Sequence, residues 1–151
     1  KSDLFIKRDV EQEIEATADK VTKKVTITYN NPRKGSNCNL EAGQLCLNGV
    51  YRDYVRLYVP KGSKLVSVVG SEVKESTFED LGKTVFDAFF TMRPESSSKL
   101  VFTYELPALS LSPYRMLIQK QPGLTSVKHS ITLNGNPTTL DLIKDQELVL
   151  E

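Results

Sequence analysis

The 151-residue chain has no tryptophan, one histidine, two cysteines and two methionines. Each scarcity removes a class of chemistry. A structural zinc site takes four Cys, His or carboxylate ligands in close array, and His129 follows Cys46 by eighty-three residues. Seven residues separate Cys38 from Cys46, so the pair matches neither a zinc ribbon nor a Cys-x-x-Cys redox motif. Long apolar runs are missing as well: nothing approaches the ~18 consecutive apolar residues of a spanning helix, and no charged-then-apolar leader opens the chain. Charge of one sign is also absent, with 20 Lys plus Arg against 19 Asp plus Glu. A net charge of +1 creates no field that would favour nucleic acid or an anionic membrane. Glycine-rich phosphate loops are lacking, since PKGSK holds a single glycine. The Asn136-Pro137-Thr138 triplet is barred from glycosylation by its proline.

What is present is period-two alternation. In VTKKVTITYNNP, Val25, Ile27 and Tyr29 face one side, Lys24, Thr26 and Thr28 the other, and Asn30-Asn31-Pro32 ends the run. RDVEQEIEA sets Val10 and Ile14 against Glu11, Glu13 and Glu15, and Asp19-Lys20 joins the two runs as a hairpin, with Lys24 a cross-strand partner for the carboxylates. YRDYVRLYVPKGS points Val55, Leu57 and Val59 one way and Arg52, Tyr54, Arg56 and Tyr58 the other. Further strands read at KLVSVVG, KLVFTYELP, YRMLIQKQPG, VKHSITLNG and TTLDLI, with Asn134-Gly135 a hairpin turn between the last two. Ser76-x-x-Glu79 has capping-box spacing, but Gly82 and the β-favouring run Thr84, Val85, Phe86, then Phe89, Phe90, Thr91 predict a turn and a buried strand, with at most one helical turn at 77–81. Ser96–Ser98 read as a loop.

Regular short strands with turn signals predict an all-β fold, an antiparallel β-sandwich of immunoglobulin-like or related Greek-key type with about eight to ten strands. One core suffices at this length, where folding removes roughly 70% of the unfolded surface from water, so residues 1–151 are expected to form a single domain. The Lys1 start points to a fragment of a longer protein, and Leu150–Glu151, which could be native or left by a cloning junction, carry no functional weight.

The chemistry-bearing residues are few. Cys38 and Cys46 close a nine-residue loop in which Gly43 can relieve the backbone. A disulfide there is favoured over two buried thiols, fits an oxidising compartment, and is worth on the order of 2.5 kcal/mol by chain entropy. His129 shares its strand side with Val127, Ile131 and Leu133 and reads as a core or edge histidine, with no nucleophile elbow to make it catalytic. Glu11, Glu13 and Glu15 read as a solvated face and not a calcium site, for want of an Asp-x-Asp-x-Asp-Gly loop. The face of Arg52, Tyr54, Arg56 and Tyr58 is the candidate ligand-binding surface, because arginine forks and tyrosine rings suit recognition. Its ordinary alternative is a polar outer face paired with adjacent strands. No catalytic residue, metal or cofactor is expected.

The segments CNLEAGQLCLNGVYRDYVRLYVPKGSKL, TVFDAFFTMRP, LVFTYELP and LIQKQPG resemble the C-terminal extracytoplasmic part of an uncharacterised bacterial family of membrane-anchored proteins, a domain of unknown function. The likeness runs from about Leu4 to Leu148 and is most specific in NG-x-YRDYVR-x-YVPKGS, and paired cysteines before that block recur in some members. It implies export, an extracellular or cell-surface location, and a membrane anchor outside these residues. It implies no activity. The expectation is therefore a non-enzymatic structural or interaction module whose partner is a neighbouring domain of the parent chain, a surface protein or a cell-wall glycan. A carbohydrate or cell-wall polymer binding domain is the alternative, weakened by the absence of tryptophan.

Overall fold

A computed structural model describes residues 2–17, 19–107 and 113–150. Eleven strands are described: β1 (Lys7–Ala16), β2 (Val21–Asn31), β3 (Tyr51–Pro60), β4 (Lys64–Val69), β5 (Thr77–Asp80), β6 (Lys83–Met92), β7 (Ser96–Leu106), β8 (Tyr114–Ile118), β9 (Val127–Leu133), β10 (Asn136–Leu142) and β11 (Gln146–Leu150). They form a six-stranded sheet in the order β10-β9-β1-β2-β7-β4, a three-stranded sheet β3-β6-β5 and a ribbon β11-β8. The expected all-β sandwich is what forms, and all its pairings are antiparallel except β1 with β9.

Turn chemistry places the hairpins. Asn134 (φ 48°) and Gly135 (φ 88°) both sit in the left-handed region, as a two-residue hairpin turn between right-twisted strands requires. Leu81 (φ 49°) and Gly82 (φ 69°) do the same between β5 and β6. That turn removes the helical option at 77–81: Thr77–Asp80 is a strand, paired from Thr77↔Phe86 to Asp80↔Lys83. Gly70 is fixed by crowding, since a Cβ there would lie 2.0 Å from the Lys99 carbonyl oxygen, where β4 ends against β7.

One other expectation is corrected. Ser96–Ser98 are not a loop: they pair with Asn31, Asn30 and Tyr29 as the first residues of β7. The turn falls earlier, at Pro94 and Glu95 (φ 57°), because β2 offers open backbone groups as far as Asn31 and these recruit the serines whatever their propensity. Leu150 belongs to the fold, buried and opposite Tyr114 in the ribbon. β5 and β11 thus bring the strand count above the sequence expectation.

The core lies between the inner face of the six-stranded sheet and the other two sheets. The Tyr29 ring on β2 stands 4.6 Å from Phe90 on β6, and Phe86 on β6 stands 5.4 Å from Tyr104 on β7. Phe86, Phe90, Phe102, Leu100, Ile14 and Ile131 are fully buried, each side chain contributing about 1.5–3 kcal/mol of apolar transfer. Met116 of the ribbon reaches β2 at Lys23. On the outer face of β1 and β2, Glu13 sits opposite Lys24 with Nζ 2.9 Å from Oε1, the cross-strand pair the alternation predicts.

Candidate functional site

Strand β3 is held at Val55↔Ala88 and Leu57↔Phe86 against β6, so its odd residues fill the core and its even residues face solvent. Arg52, Tyr54, Arg56 and Tyr58 are all exposed there, Tyr54 at 52% and Tyr58 at 43%. The structure joins three of the four. The Arg56 guanidinium stands over the rings of Tyr54 (5.3 Å) and of Phe78 on β5 (5.5 Å), a cation–π sandwich across the sheet. The Tyr58 hydroxyl donates to Asp80 Oδ2 at 2.8 Å, and the Tyr54 hydroxyl donates to Asp87 Oδ2. Arg52 lies opposite Thr91 at the end of the row, and no side-chain partner for it is found among the described residues.

Asp87 is the hub. Partial burial works against its charge, but the Tyr54 hydroxyl, the Ser76 hydroxyl (2.8 Å) and the Ser76 backbone N–H (2.7 Å) stabilise the carboxylate and hold its pKa below the usual value. The same bond, seen from Tyr54, pushes the phenol up, and Asp80 does likewise to Tyr58. Both rings are thus tied down by their hydroxyls while remaining about half exposed. Asp87, Asp80, Phe78 and Ser76 carry no local sequence signal, since what brings them to Arg56 and the tyrosines is the register Arg56↔Asp87 across strands thirty residues apart.

Cys38 and Cys46 are bonded to each other, as the spacing predicts. Asn39 caps the short 3-10 turn Leu40–Ala42 inside the loop, accepting from the Ala42 N–H at 3.2 Å, and Gly43 closes it in the left-handed region. The loop itself is exposed. Its attachment to β3 rests instead on a buried amide pair that the sequence did not announce. Asn31 Nδ2 donates to Asn48 Oδ1 at 2.8 Å, and Asn48 Nδ2 donates to the carbonyls of Arg33 (3.2 Å) and Lys34 (2.9 Å).

His129 is buried, as read from its strand neighbours, and Gln12 Nε2 donates to its Nδ1 at 3.2 Å. Burial, followed by the charge of Lys23, holds the imidazole below its ordinary value. Lys23 is the unexpected member: it shares the inner face with Val25, is buried with its Nζ 3.9 Å from Met116 Sδ, and is brought down by burial to about 8. A second arginine is enclosed at the other end. Arg8 Nη2 donates to Asp3 and to the Tyr51 hydroxyl (2.6 Å), lies 4.0 Å from Asp53, and its guanidinium stands over Tyr29 (5.3 Å) and Tyr51 (5.9 Å). Among the described residues no three His, Cys, Asp or Glu side chains cluster as a metal site, and no described helix is long and apolar enough to cross a membrane.

No protein-family model and no curated protein matches the chain. Among solved structures it is similar to a mutant M1 zinc metallopeptidase from Deinococcus radiodurans bound to a Tyr-Ser-Ala substrate, with TM-score 0.43, 9% identity, and coverage of 90% of this chain and 38% of that one. A two-domain M1 zinc metallopeptidase mutant bound to L-tryptophan gives TM-score 0.42 and 9% identity over 92% and 39% of the two chains. The M1 zinc metallopeptidase from Deinococcus radiodurans gives 0.39 and 10% over 95% and 39%. The chain spans about two-fifths of the length of these proteins, and likeness at this level assigns neither family nor activity.

Proposed function

We propose that the chain is a non-enzymatic extracellular interaction module of a bacterial cell-envelope protein, held at the membrane by an anchor elsewhere in the parent chain. The observation that carries this reading is the pinned row Tyr54–Arg56–Tyr58, half-exposed rings tied by their hydroxyls to Asp87 and Asp80 on the β3-β6-β5 sheet. Side chains ordered before binding lose little rotamer freedom when a partner docks, which is what a recognition surface needs. The Cys38–Cys46 disulfide supports an oxidising, extracytoplasmic setting. The only histidine is committed to the core through Gln12, which supports a binding role over a catalytic one.

A cell-wall glycan is the second reading, favoured by two half-exposed tyrosine rings beside an arginine on one outward row. A pull-down on cell-wall pellets and surface extracts with the intact chain and with Tyr54→Ala/Arg56→Ala tests both. Binding that the double variant abolishes supports the surface, and the bound fraction identifies glycan or protein. Binding unchanged by the double variant sinks it.

A further inference from the structure

Five of the strands at a free edge are guarded. β4 is interrupted by a bulge between Leu65 and Ser67, β10 contains Pro137, and β5, β8 and β11 have only four or five residues. Short, bulged or proline-bearing edges are how sheets avoid adding strands. β3 is different: it ends its sheet, runs ten residues, keeps regular register with β6 throughout, and meets its proline only at the last position.

The direction of its free backbone groups follows from β6. The Asp87 N–H donates to Ser76 and the Phe89 carbonyl accepts from Glu72, so odd residues of β6 bond away from β3. Even residues of β6 therefore bond to β3 and meet its odd residues, as in Val55↔Ala88. Among the described residues, the N–H and C=O groups of Arg52, Tyr54, Arg56 and Tyr58 are left without a strand partner, pointing out along the edge.

We propose that this edge pairs with the same edge of a second copy, joining two three-stranded sheets into one six-stranded sheet around a two-fold axis at Val55. Two-fold antiparallel pairing matches each residue with one other and back again, and the open backbone groups require even residues to face even residues. With Val55 opposite itself, Arg52 faces Tyr58 of the second copy and Tyr54 faces Arg56 of the second copy, so every outward pair is a cation beside a ring. Sliding by one pairing step in either direction sets Arg52 against Arg56, or Arg56 against its own copy, with like charges in contact. Asp53, the inward charge that would otherwise discourage edge pairing, is answered by Arg8 within each copy. The sequence YRDYVRLYV is thus self-complementary in one register. This goes beyond the reading above, because it concerns the strand's edge and not its outer face.

Single-strand addition buries little surface, so the dimer is concentration-dependent, with a dissociation constant between about 1 μM and 1 mM. Sedimentation equilibrium of the intact chain is expected to show reversible dimerisation. The Tyr58→Lys variant, which sets like charges at two symmetry-related pairs, weakens it by about tenfold or more, and Tyr58→Lys with Arg52→Glu restores it. Concentration-dependent hydrogen exchange protects the amides of residues 52, 54, 56 and 58 and leaves 53, 55 and 57 unchanged. Oxidised Val55→Cys crosslinks to its own copy, with no competing thiol because Cys38 and Cys46 are bonded. A chain that stays monomeric to about 1 mM, a dimer indifferent to Tyr58→Lys, or protection of the odd amides overturns the proposal. Recovery of a strand from another protein on this edge, with the chain itself monomeric, overturns it too.

Discussion

Arg8 and Arg56 do the same chemistry in opposite surroundings. Each lays its guanidinium over two aromatic rings at 5.3–5.9 Å, Tyr29 and Tyr51 for Arg8, Tyr54 and Phe78 for Arg56. Arg8 keeps 9% of its side chain in water and joins β1 to β3 across the core, whereas Arg56 lies on the outer face. Burial works against the charge on Arg8, and the Asp3 bond with the Tyr51 and Tyr29 phenols outweighs it, so its pKa rises. The enclosed copy is cement between sheets. The open copy is free to meet something else, because water already screens what it does at home.

The widest gap between the two should appear on truncation. Arg8→Ala removes the cation from Asp3, Asp53 and the rings of Tyr29 and Tyr51 and is expected to cost about 4 kcal/mol in urea unfolding, while Arg56→Ala leaves Tm where it was and removes partner binding. Equal losses of stability in the two variants would erase the contrast.

Lys23 sharpens it from the other side, as a buried cation with no counter-ion among the described residues. Its folded pKa of about 8 lies below the unfolded value of 10.5, so the folded state binds fewer protons and stability rises with pH from about 8 toward 10. The full span corresponds to about 3 kcal/mol. Above pH 10 the curve should turn down, because burial raises the hydroxyls of Tyr29, Tyr51, Tyr104 and Tyr114 and their stabilisation is lost as the unfolded tyrosines ionise. Lys23→Met is expected to be more stable at pH 7 and to lose the rise. In the same variant the His129 imidazole, relieved of a nearby charge, should titrate closer to its ordinary value by NMR.

A smaller contrast of the same kind separates the two ties of the 37–49 loop. Asn48→Ala leaves the Asn31 amide and two backbone carbonyls short of partners in a buried place, and should cost about 2 kcal/mol and loosen the amides at the start of β3. Reducing the exposed disulfide should free the loop and leave the protection of β3 intact. If reduction unlocked β3 as well, the amide pair would not be the anchor. The smallest effect belongs to Tyr54→Phe, which should not move Tm but should let the Asp87 carboxyl rise toward its ordinary value.

Much of this was readable along the chain. Alternation placed Arg52, Tyr54, Arg56 and Tyr58 in water, His129 in the core and Glu13 beside Lys24, and loop closure paired Cys38 with Cys46. Those signals are short-ranged, since period two needs only neighbours and a hairpin fixes register from its turn. The parallel contact of β1 with β9 has no such signal, as the two strands are over a hundred residues apart. Lys23 was legible as inward by parity, yet nothing local revealed that no described carboxylate would meet it.

Fold class, strand faces and the staple were already written along the chain, because alternation, turn residues and loop closure act over a few residues. Which arginine became cement and which stayed open, and that Asp87 and Asp80 hold the tyrosine row, came from the packing of the sheets. Those outcomes depend on register between distant strands and on which sheet lies over which face, and dielectric surroundings are a property of the assembled layers.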